Sequence, residues 1–310
     1  VFHARDLPAD RSLWPDIFRS AIGGNDPYGR QLDGMGGGIS SLSKVCVIAP
    51  SAREDADIDY SFFQVSPTSD SVDDSSNCGN MSSAMGPFAV DEGLVPVSGD
   101  EARVRIYNTN TQKIIISRFK LDDGMAAVDG EFPLPGVAGF GSAVSLDFLR
   151  PGGARTGKIL PTGNVRDVLT LEDGSTIEAS MVDAANPCVF VRAADVGAEG
   201  NESPLAMDND LGLLAKLEAV RRAASVAMGI TANLAEAAKV PSAPKVAFVA
   251  PPMDSQLLNG VAMPADDVDL LARMISVGAP HRAIPLTGAL CTACAAKVKG
   301  TLVHEVTRPG

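Results

Sequence analysis

The chain has 310 residues, with 26 Lys and Arg against 38 Asp and Glu, so its formal net charge is −12 at pH 7. This acidic balance argues against nucleic acid and against an anionic membrane surface as partners, because both are bound by clustered Lys and Arg. Hydrophobic residues make up 45% of the chain, which is typical of a globular protein, and the longest apolar runs have the length of a strand. Five cysteines without a regular spacing favour a reducing compartment, so we expect a cytoplasmic protein.

Two further features of the whole chain bear on its organisation. The sequence contains 30 glycines and only 5% aromatic residues, which predicts tight turns and helices buried in narrow spaces. It starts at Val1 without an initiator Met and stops at Gly310 without a closing element, so we expect it to be part of a longer protein.

The first half of the chain predicts two helices among several strands. The first helix is expected over residues 7–24, ended by Gly23 and Gly24, and a loop rich in Gly, Asp and Pro follows over residues 25–43. A second helix of small residues is expected from Gly79 to about Gly93. The strands are predicted at 44–49, 58–65, 102–108, 113–119 and 143–148.

The second half predicts more strands and three helices. The strands are predicted at 168–171, 176–182, 188–192 and 246–250, and the helices at 211–228, 264–277 and 288–297. The last helix consists largely of small residues, like the helix that begins at Gly79. Such helices have no polar face for water, so strands are expected to wrap around them.

This pseudo-repeat predicts the fold class. We expect an α+β protein of two pseudo-symmetric lobes, 1–163 and 164–310, each a β-barrel-like sheet around a central small-residue helix. A doubly wound parallel sheet is not expected, because strands and helices do not alternate strictly.

Cys78 is the first candidate catalytic residue. It occupies the last position before the predicted helix, where free N–H groups and the helix dipole stabilise a thiolate. The following residues, Gly79 and Asn80, permit close backbone approach, so the same turn can bind a substrate carboxylate. The structural alternative is a small buried residue that happens to precede a helix.

Lys44 is the second candidate. It stands directly before an apolar strand and close to Ser41 in the sequence, and a partly desolvated lysine is suited to proton transfer. The alternative, favoured by the sequence alone, is a lysine whose ammonium group reaches solvent at a strand end.

Other motifs carry less chemistry. Cys291 and Cys294 have CxxC spacing without a second pair or a nearby His, so we interpret them as helix packing and expect no metal site. The glycines at 34, 36, 37 and 38 lack the spacing of a nucleotide-binding loop, and no cofactor is expected.

Several segments of the chain, in the same order along the sequence, resemble the PrpF family of isomerases. The resemblance rests on residues 26–38 (DPYGRQLDGMGGG), 40–45 (SSLSKV), 59–60 (DY), 75–80 (SSNCGN), 84–89 (AMGPFA), 161–164 (PTGN), 246–252 (VAFVAPP) and 266–270 (DDVDL). It covers nearly the whole chain in order. The family's Gly-Gly-Thr-Ser-Lys-Gly loop and Gly-His-Pro-Ser-Gly segment are absent, and we expect them outside this sequence.

The resemblance implies a fold, a site and a reaction. The fold is like that of diaminopimelate epimerase, with the active site where the N-termini of the two central helices converge. Lys44 and Cys78 match the family's catalytic pair, and the implied substrate-binding residues are Asn77, Gly79, Asn80, Ser41, Thr287, Gly288 and Asn186. The implied reaction is a cofactor-independent 1,3-allylic proton shift on an unsaturated di- or tricarboxylate such as 2-methylaconitate, aconitate or 4-oxalomesaconate. The implied partner is this small polycarboxylate substrate. A homodimer is also predicted, and no nucleic acid or membrane partner is expected from the charge and the short apolar runs.

Two other functions are compatible with the same fold. An epimerase or racemase uses two opposed cysteines, but the residue that matches Cys78 before the second central helix is Thr287, and Cys291 lies almost a turn inside that helix. The second of these alternatives is a non-catalytic carboxylate-binding protein, and the presence of both Lys44 and Cys78 argues against it.

Overall fold

The computed structural model describes residues 1–24, 26–28, 30–134 and 137–309. Asn25 and Gly29, in the predicted glycine-rich loop, and Gly310, in the predicted C-terminal lobe, lie outside the described residues. The chain divides into two units, Val1–Arg150 and Pro151–Gly310, which we call the N-terminal and C-terminal units.

The division falls earlier than the boundary expected after residue 163. The segment after Pro151 is bound to the C-terminal unit by the backbone of Asp183. The Gly153 N–H donates to the Asp183 carbonyl at 2.8 Å, and the Asp183 N–H donates to the Ile159 carbonyl at 2.9 Å. These bonds explain why the segment belongs to the second unit.

The N-terminal unit contains ten strands and two α-helices among its described residues. The strands are β1 (Phe2–His3), β2 (Lys44–Pro50), β3 (Ile58–Val65), β4 (Val72–Asp73), β5 (Glu101–Asn108), β6 (Lys113–Asp122), β7 (Met125–Ala126), β8 (Phe132–Pro133), β9 (Phe140–Gly141) and β10 (Val144–Phe148). The helices are α1 (Trp14–Ile22) and α2 (Gly79–Asp91).

One mixed sheet surrounds α2. Its strand order is β1-β2-β3-β5-β6-β10, with β4 paired to β3 and β7 paired to β6. Strands β3 and β5 are parallel, so the chain must cross over between them, and α2 lies in that crossover. The helix contacts β2, β3, β5, β6, β7 and β10, which confirms a sheet wrapped around a small-residue helix.

Strand β2 is buried on both faces. Cys46 and Ile48 of β2 pack on the side of α2, whereas Val45 and Val47 pack against α1. Successive side chains of a strand point to opposite faces. Residues 45–49 of this strand are therefore all apolar, because each face has a helix to cover it.

The C-terminal unit contains eight strands and six α-helices among its described residues. The strands are β11 (Asp167–Thr170), β12 (Thr176–Ala184), β13 (Asn186–Arg192), β14 (Lys245–Ala250), β15 (Ser255–Gln256), β16 (Ala262–Met263), β17 (Leu271–Ser276) and β18 (Ala279–Pro280). The helices are α3 (Ala193–Val196), α4 (Pro204–Asn209), α5 (Leu211–Ala227), α6 (Leu234–Lys239), α7 (Leu286–Lys297) and α8 (Leu302–Val306).

Its sheet repeats the plan of the first unit. The order is β11-β12-β13-β14-β17-β18, with β13 and β14 parallel. Val189 and Val191 of β13 pack on the side of α5, and Cys188 and Phe190 pack on the side of α7. The predicted α+β class with two similar units is therefore confirmed, with a second helix on the other face of each sheet.

The predicted helix over residues 264–277 is wrong. A short 3-10 turn, Ala265–Asp267, is followed by β17, which pairs antiparallel with β14. Leu271, Met274 and Ile275 are buried at a spacing that imitates a helix. In the strand this spacing arises because Leu271 and Ile275 face α5 while Met274 faces α7.

The helix predicted over residues 7–24 is shorter than expected, since α1 begins at Trp14. Leu7 precedes a proline and is extended, with φ −100° and ψ 152°, as the proline ring requires. Gly23 ends the helix with φ +75°, as predicted. In the described ranges no helix combines the length and apolarity needed to cross a membrane.

Candidate active site

Cys78 lies at the start of α2, as the sequence predicted. It is the residue before the first helical residue, with extended backbone angles of φ −110° and ψ 107°, and its thiol is half-buried. The first helical hydrogen bond runs from the Ser82 N–H to the Cys78 carbonyl at 2.9 Å. The N–H groups of Gly79 and Asn80 therefore precede the first helical hydrogen bond and lie at the positive end of the helix dipole.

Lys44 is the first residue of β2, and its ammonium Nζ lies 3.4 Å from Cys78 Sγ. The two residues are 34 positions apart in the sequence. Lys44 has the same side-chain direction as Cys46 and Ile48, which face α2, so strand alternation directs it towards this helix. The structure thus brings together the two residues predicted to transfer protons.

Two glutamines hold the backbone that leads into Lys44. Gln64, the cross-strand partner of Lys44, donates from Nε2 to the carbonyls of Ser40 at 2.7 Å and Ser43 at 3.0 Å. The Oε1 atom of buried Gln31 accepts hydrogen bonds from Ser43 Oγ at 3.0 Å and from the Gly38 N–H at 2.7 Å. Sequence reasoning assigned no role to either glutamine.

The glycine-rich loop makes room for Gln31. A Cβ at Gly36 would lie 2.5 Å from Gln31 Oε1, closer than van der Waals contact allows, so any larger residue there would displace the Gln31 carboxamide. Ser41, predicted to bind substrate, is exposed in the 3-10 turn Ser40–Leu42 that precedes β2.

Asn77 contacts two buried polar residues, Ser82 and Asn108, that sequence reasoning missed. Asn77 is 3% exposed, and its Oδ1 lies within hydrogen-bond distance of Ser82 Oγ at 3.2 Å and accepts from Asn108 Nδ2 at 3.3 Å. The available signal was the polar run of residues 108–111 (NTNT), which ends an alternating strand. Asn80, in contrast, is exposed on the first turn of α2.

A second cysteine lies in the core of the same unit. Cys46 Sγ donates to Tyr60 Oη at 3.9 Å, and both side chains are fully buried. Burial raises the pKa of the Cys46 thiol to about 12 and raises the pKa of Tyr60 well above its ordinary range. Cys46 therefore stays protonated at neutral pH and does not compete with Cys78 as a base.

In the C-terminal unit, the structure brings Asn186 to Thr287. The turn between β12 and β13 is a single residue, Ala185, with φ +61°, so Asn186 is already in a strand. Asn186 Nδ2 donates to Thr287 Oγ1 at 3.4 Å, and both side chains are buried. A Cβ at Gly288 would lie 2.4 Å from Met274 Sδ, so this glycine lets α7 approach β17.

The helix α7 begins two residues earlier than predicted. Its first helical residue is Leu286 and the residue before the helix is Pro285, a place where a proline is well tolerated because the N–H that it lacks has no acceptor within the helix. Thr287 and Gly288 therefore lie inside the first turn, and Thr287 is not in the position that Cys78 has in α2.

Cys291 is too deep to act as a second base at the start of α7. It is fully buried, and its Sγ donates to the Val182 carbonyl at 3.4 Å. Burial raises the pKa of its thiol, and burial also raises the pKa of Cys294. Among the described residues, no group of three or more His, Cys, Asp or Glu is placed to hold a metal ion.

Comparisons with known proteins agree with the expected class of enzyme. The chain is 42% identical to the 3-methylitaconate isomerase of Eubacterium barkeri, over 98% of this chain and 80% of that protein. It is 40% identical to the 2-methyl-aconitate isomerase of Cupriavidus necator, over 98% of this chain and 79% of that protein. A crystal structure of methylitaconate-delta-isomerase, 41% identical, superposes with a TM-score of 0.79 over 99% of this chain and 79% of that one. A family model described as PrpF protein matches residues 1–310, and the chain therefore belongs to the PrpF protein family.

Proposed function

We propose that this protein is a cofactor-independent isomerase that moves a C=C bond by a 1,3-allylic proton shift in an unsaturated di- or tricarboxylate. The observation that carries the proposal is the Lys44–Cys78 pair, whose Nζ and Sγ atoms lie 3.4 Å apart at the start of α2. Membership of the PrpF family and the named isomerases among its relatives support it.

Lys44 and Cys78 are assigned the two proton transfers. One of them removes a proton from a carbon next to a carboxylate, and the electron pair of that C–H bond forms the new double bond. The electrons of the old double bond then take up a proton from the other residue, two carbons away. The substrate loses one proton and gains one, so no oxidant or cofactor enters the balance.

The helix terminus supplies the electrostatic part of the mechanism. Removal of the proton places negative charge on the substrate carboxylate, and preorganised N–H donors stabilise such charge. Gly79 and Asn80 present these donors at the start of α2, and the Lys44 ammonium adds a positive charge beside them. Asn77 and Ser41 are proposed as further carboxylate-binding residues, and Asn186, Thr287 and Gly288 keep the same proposed role.

The test is a substrate screen followed by a single variant. Purified protein is mixed with methylitaconate, 2-methylaconitate, aconitate or 4-oxalomesaconate, and the ultraviolet absorbance of the conjugated double bond is followed. In deuterated water an isomerase shifts the double bond, whereas an epimerase only exchanges a Cα proton.

Lys44→Met should fold and bind substrate while kcat falls by about 10²–10⁴, the range expected for loss of a proton-transfer group. Lys120→Met, at an exposed position of β6, is the matched control and should retain the wild-type rate. A near-normal rate for Lys44→Met would contradict the assignment. If the wild-type protein binds the four substrates but turns over none of them, a non-catalytic carboxylate-binding protein would be favoured.

We also propose a cytoplasmic location and a small polycarboxylate as the binding partner. All five cysteines are free thiols in the structure, which supports a reducing compartment. A homodimer stays a prediction, and sedimentation analysis of the purified protein tests it.

A further inference from the structure

A polar cluster at the end of β5 is connected to the turn that carries Cys78. Asn108 is 0% exposed, and its Oδ1 accepts hydrogen bonds from Thr111 N–H at 2.9 Å and Thr111 Oγ1 at 2.7 Å. Its Nδ2 donates to Asn77 Oδ1 at 3.3 Å and to Asn110 Oδ1 at 3.3 Å. Both ends of the Asn108 carboxamide are therefore fixed by partners of the matching kind.

Asn110 holds the other end of the same turn. Its Oδ1 accepts from the Phe62 N–H at 2.8 Å, and its Nδ2 donates to the Phe62 carbonyl at 2.9 Å. The same Nδ2 donates to the Asp74 carbonyl at 2.8 Å. The segment from Asp74 to Asn77 is thus bound at both ends, by Asn110 in the turn between β5 and β6 and by Asn108 at the end of β5.

The direction of the Asn77 carboxamide follows from these contacts. The oxygen and nitrogen ends of an amide have nearly the same shape, and only hydrogen-bond partners decide which end points where. The Thr111 N–H fixes the oxygen end of Asn108, so Asn108 Nδ2 must face Asn77 and donates to the Asn77 oxygen. The amino end must therefore point away from Asn108.

We propose that Asn108 is a positioning residue, which orients the Asn77 carboxamide and through it the turn that carries Cys78. This inference rests on the proposed function, in which Asn77 binds a substrate carboxylate and Cys78 transfers a proton. Asn108 does not touch substrate in this scheme and acts only through Asn77.

The variant that tests this role is Asn108→Asp. Aspartate has the shape of asparagine and keeps the acceptor for Thr111, but it places an acceptor against Asn77 Oδ1 and against Asn110 Oδ1. Asn77 must then turn its amino end inwards, and its donor is lost to the substrate. We expect kcat/KM to fall by about tenfold or more, mainly through KM, because one buried donor is removed.

Two controls separate positioning from a general loss of stability. Thr109→Val removes a neighbouring hydroxyl that bonds Ser61 Oγ at 2.6 Å, and it should lower the melting temperature without changing KM. In an Asn77→Ala background, Asn108→Asp should add almost nothing to KM, since residues that act through one another are not additive. Full additivity of the two changes, or an unchanged KM in a folded Asn108→Asp protein, would overturn the proposal.

A substrate-free measurement distinguishes this proposal from the proposed function. The rate of Cys78 alkylation by iodoacetamide, followed by peptide mass spectrometry, should change at least about threefold in Asn108→Asp because thiol reactivity depends on local surroundings. Half-buried Cys294 in the other unit is the internal reference. If isomerase activity is absent from the wild type, a changed Cys78 rate still supports the positioning role and an unchanged rate refutes it.

Should Asn108→Asp fail to fold, Thr111→Val offers the same test in a milder form. It removes the 2.7 Å bond to Asn108 Oδ1 and leaves Asn108 in place. A smaller rise in KM in the same direction is expected, and an unchanged KM would count against the proposal.

Discussion

Replacing Gly86 by alanine should destabilise the protein, although alanine is the better helix former. Gly86 lies in α2, where the helix crosses β6. A Cβ there would lie 2.4 Å from Ser117 Oγ, 2.7 Å from Ser117 Cβ and 3.0 Å from Phe119 Cε1. The first atom can rotate away, but Ser117 Cβ moves only with the backbone of β6.

The change in the free energy of unfolding for Gly86→Ala is the sum of two opposed contributions. Alanine in place of glycine inside a helix gains about 1 kcal/mol. Overpacking a close-packed core costs about 1–3 kcal/mol, and the upper part of that range applies because β6 is held between β5 and β10 and cannot yield. The net expectation is a loss of about 1–2 kcal/mol in the free energy of unfolding.

Ser117→Ala should have the opposite sign. Ser117 Oγ is fully buried and, among the described residues, has no hydrogen-bond partner. Removal of an unsatisfied buried hydroxyl should stabilise the protein by about 1 kcal/mol. The change also removes the 2.4 Å contact, so Gly86→Ala should cost less in this background.

Denaturant unfolding measures all of these free energies. The matched control is Gly212→Ala near the start of α5, where the nearest atom to an added Cβ is Asp210 Oδ1 at an ordinary 3.4 Å. That variant should be neutral or stabilising by up to about 1 kcal/mol. Stabilisation of Gly86→Ala to the same extent would refute the packing argument.

Two predictions concern individual side chains. Cys291→Ala should keep the isomerase kcat within about twofold of the wild-type value, while Cys78→Ala should lower kcat by about 10²–10⁴-fold. Equal losses of kcat in steady-state assays of the two variants would favour a two-cysteine mechanism. Hydrogen bonds from Arg192 hold the pKa of Glu305 at about 2, so its stabilising contribution is present above the ordinary value near 4.5 and is lost as pH falls towards 2. Glu305→Gln should therefore lower the melting temperature at pH 7 and the difference should close in acid, whereas exposed Glu131→Gln should show no such change; a gap that does not depend on pH would contradict this.

The strands of both units were predictable because their local pattern and their tertiary role agree. The runs that became β2, β3, β5, β6 and β14 are apolar or alternating, and the structure places each of them within a few residues of the prediction. The position of α2 was also predictable, since Met81, Ala84 and Met85 recur at helical spacing and Gly93 is typical of a helix end.

The strand β17 could not be predicted from its own residues. Its buried positions, Leu271, Met274 and Ile275, fit a helix as well as a strand, and only the helices on both faces of the sheet decide between them. Local periodicity is a reliable guide to a strand with one buried face. It fails where the two faces are buried by different helices.

The candidate site was predictable only in part for a similar reason. Cys78 has a local signature at a helix start, whereas the sequence alone favours a solvent-directed Lys44, and only the resemblance paired the two. The polar run at residues 108–111 was a signal for Asn108, but it did not identify Asn77 as the partner, which is 31 positions away. Gln64 had no such signal, because the Ser40 and Ser43 carbonyls that it binds are 24 and 21 positions away. Buried amides are recognisable only once the groups that they bind are in place.

A net charge of −12 is compatible with a polyanionic substrate because salt limits the distance over which charges interact. At physiological ionic strength the interaction of exposed charges is screened beyond about 8 Å. Several acidic side chains are already bound to arginine, as in Asp57 with Arg105 and Glu218 with Arg221. A carboxylate bound at the start of α2 would lie in contact with the helix N–H groups and with Lys44. These groups therefore govern its binding more than the distant acidic residues that make the net charge of the chain negative.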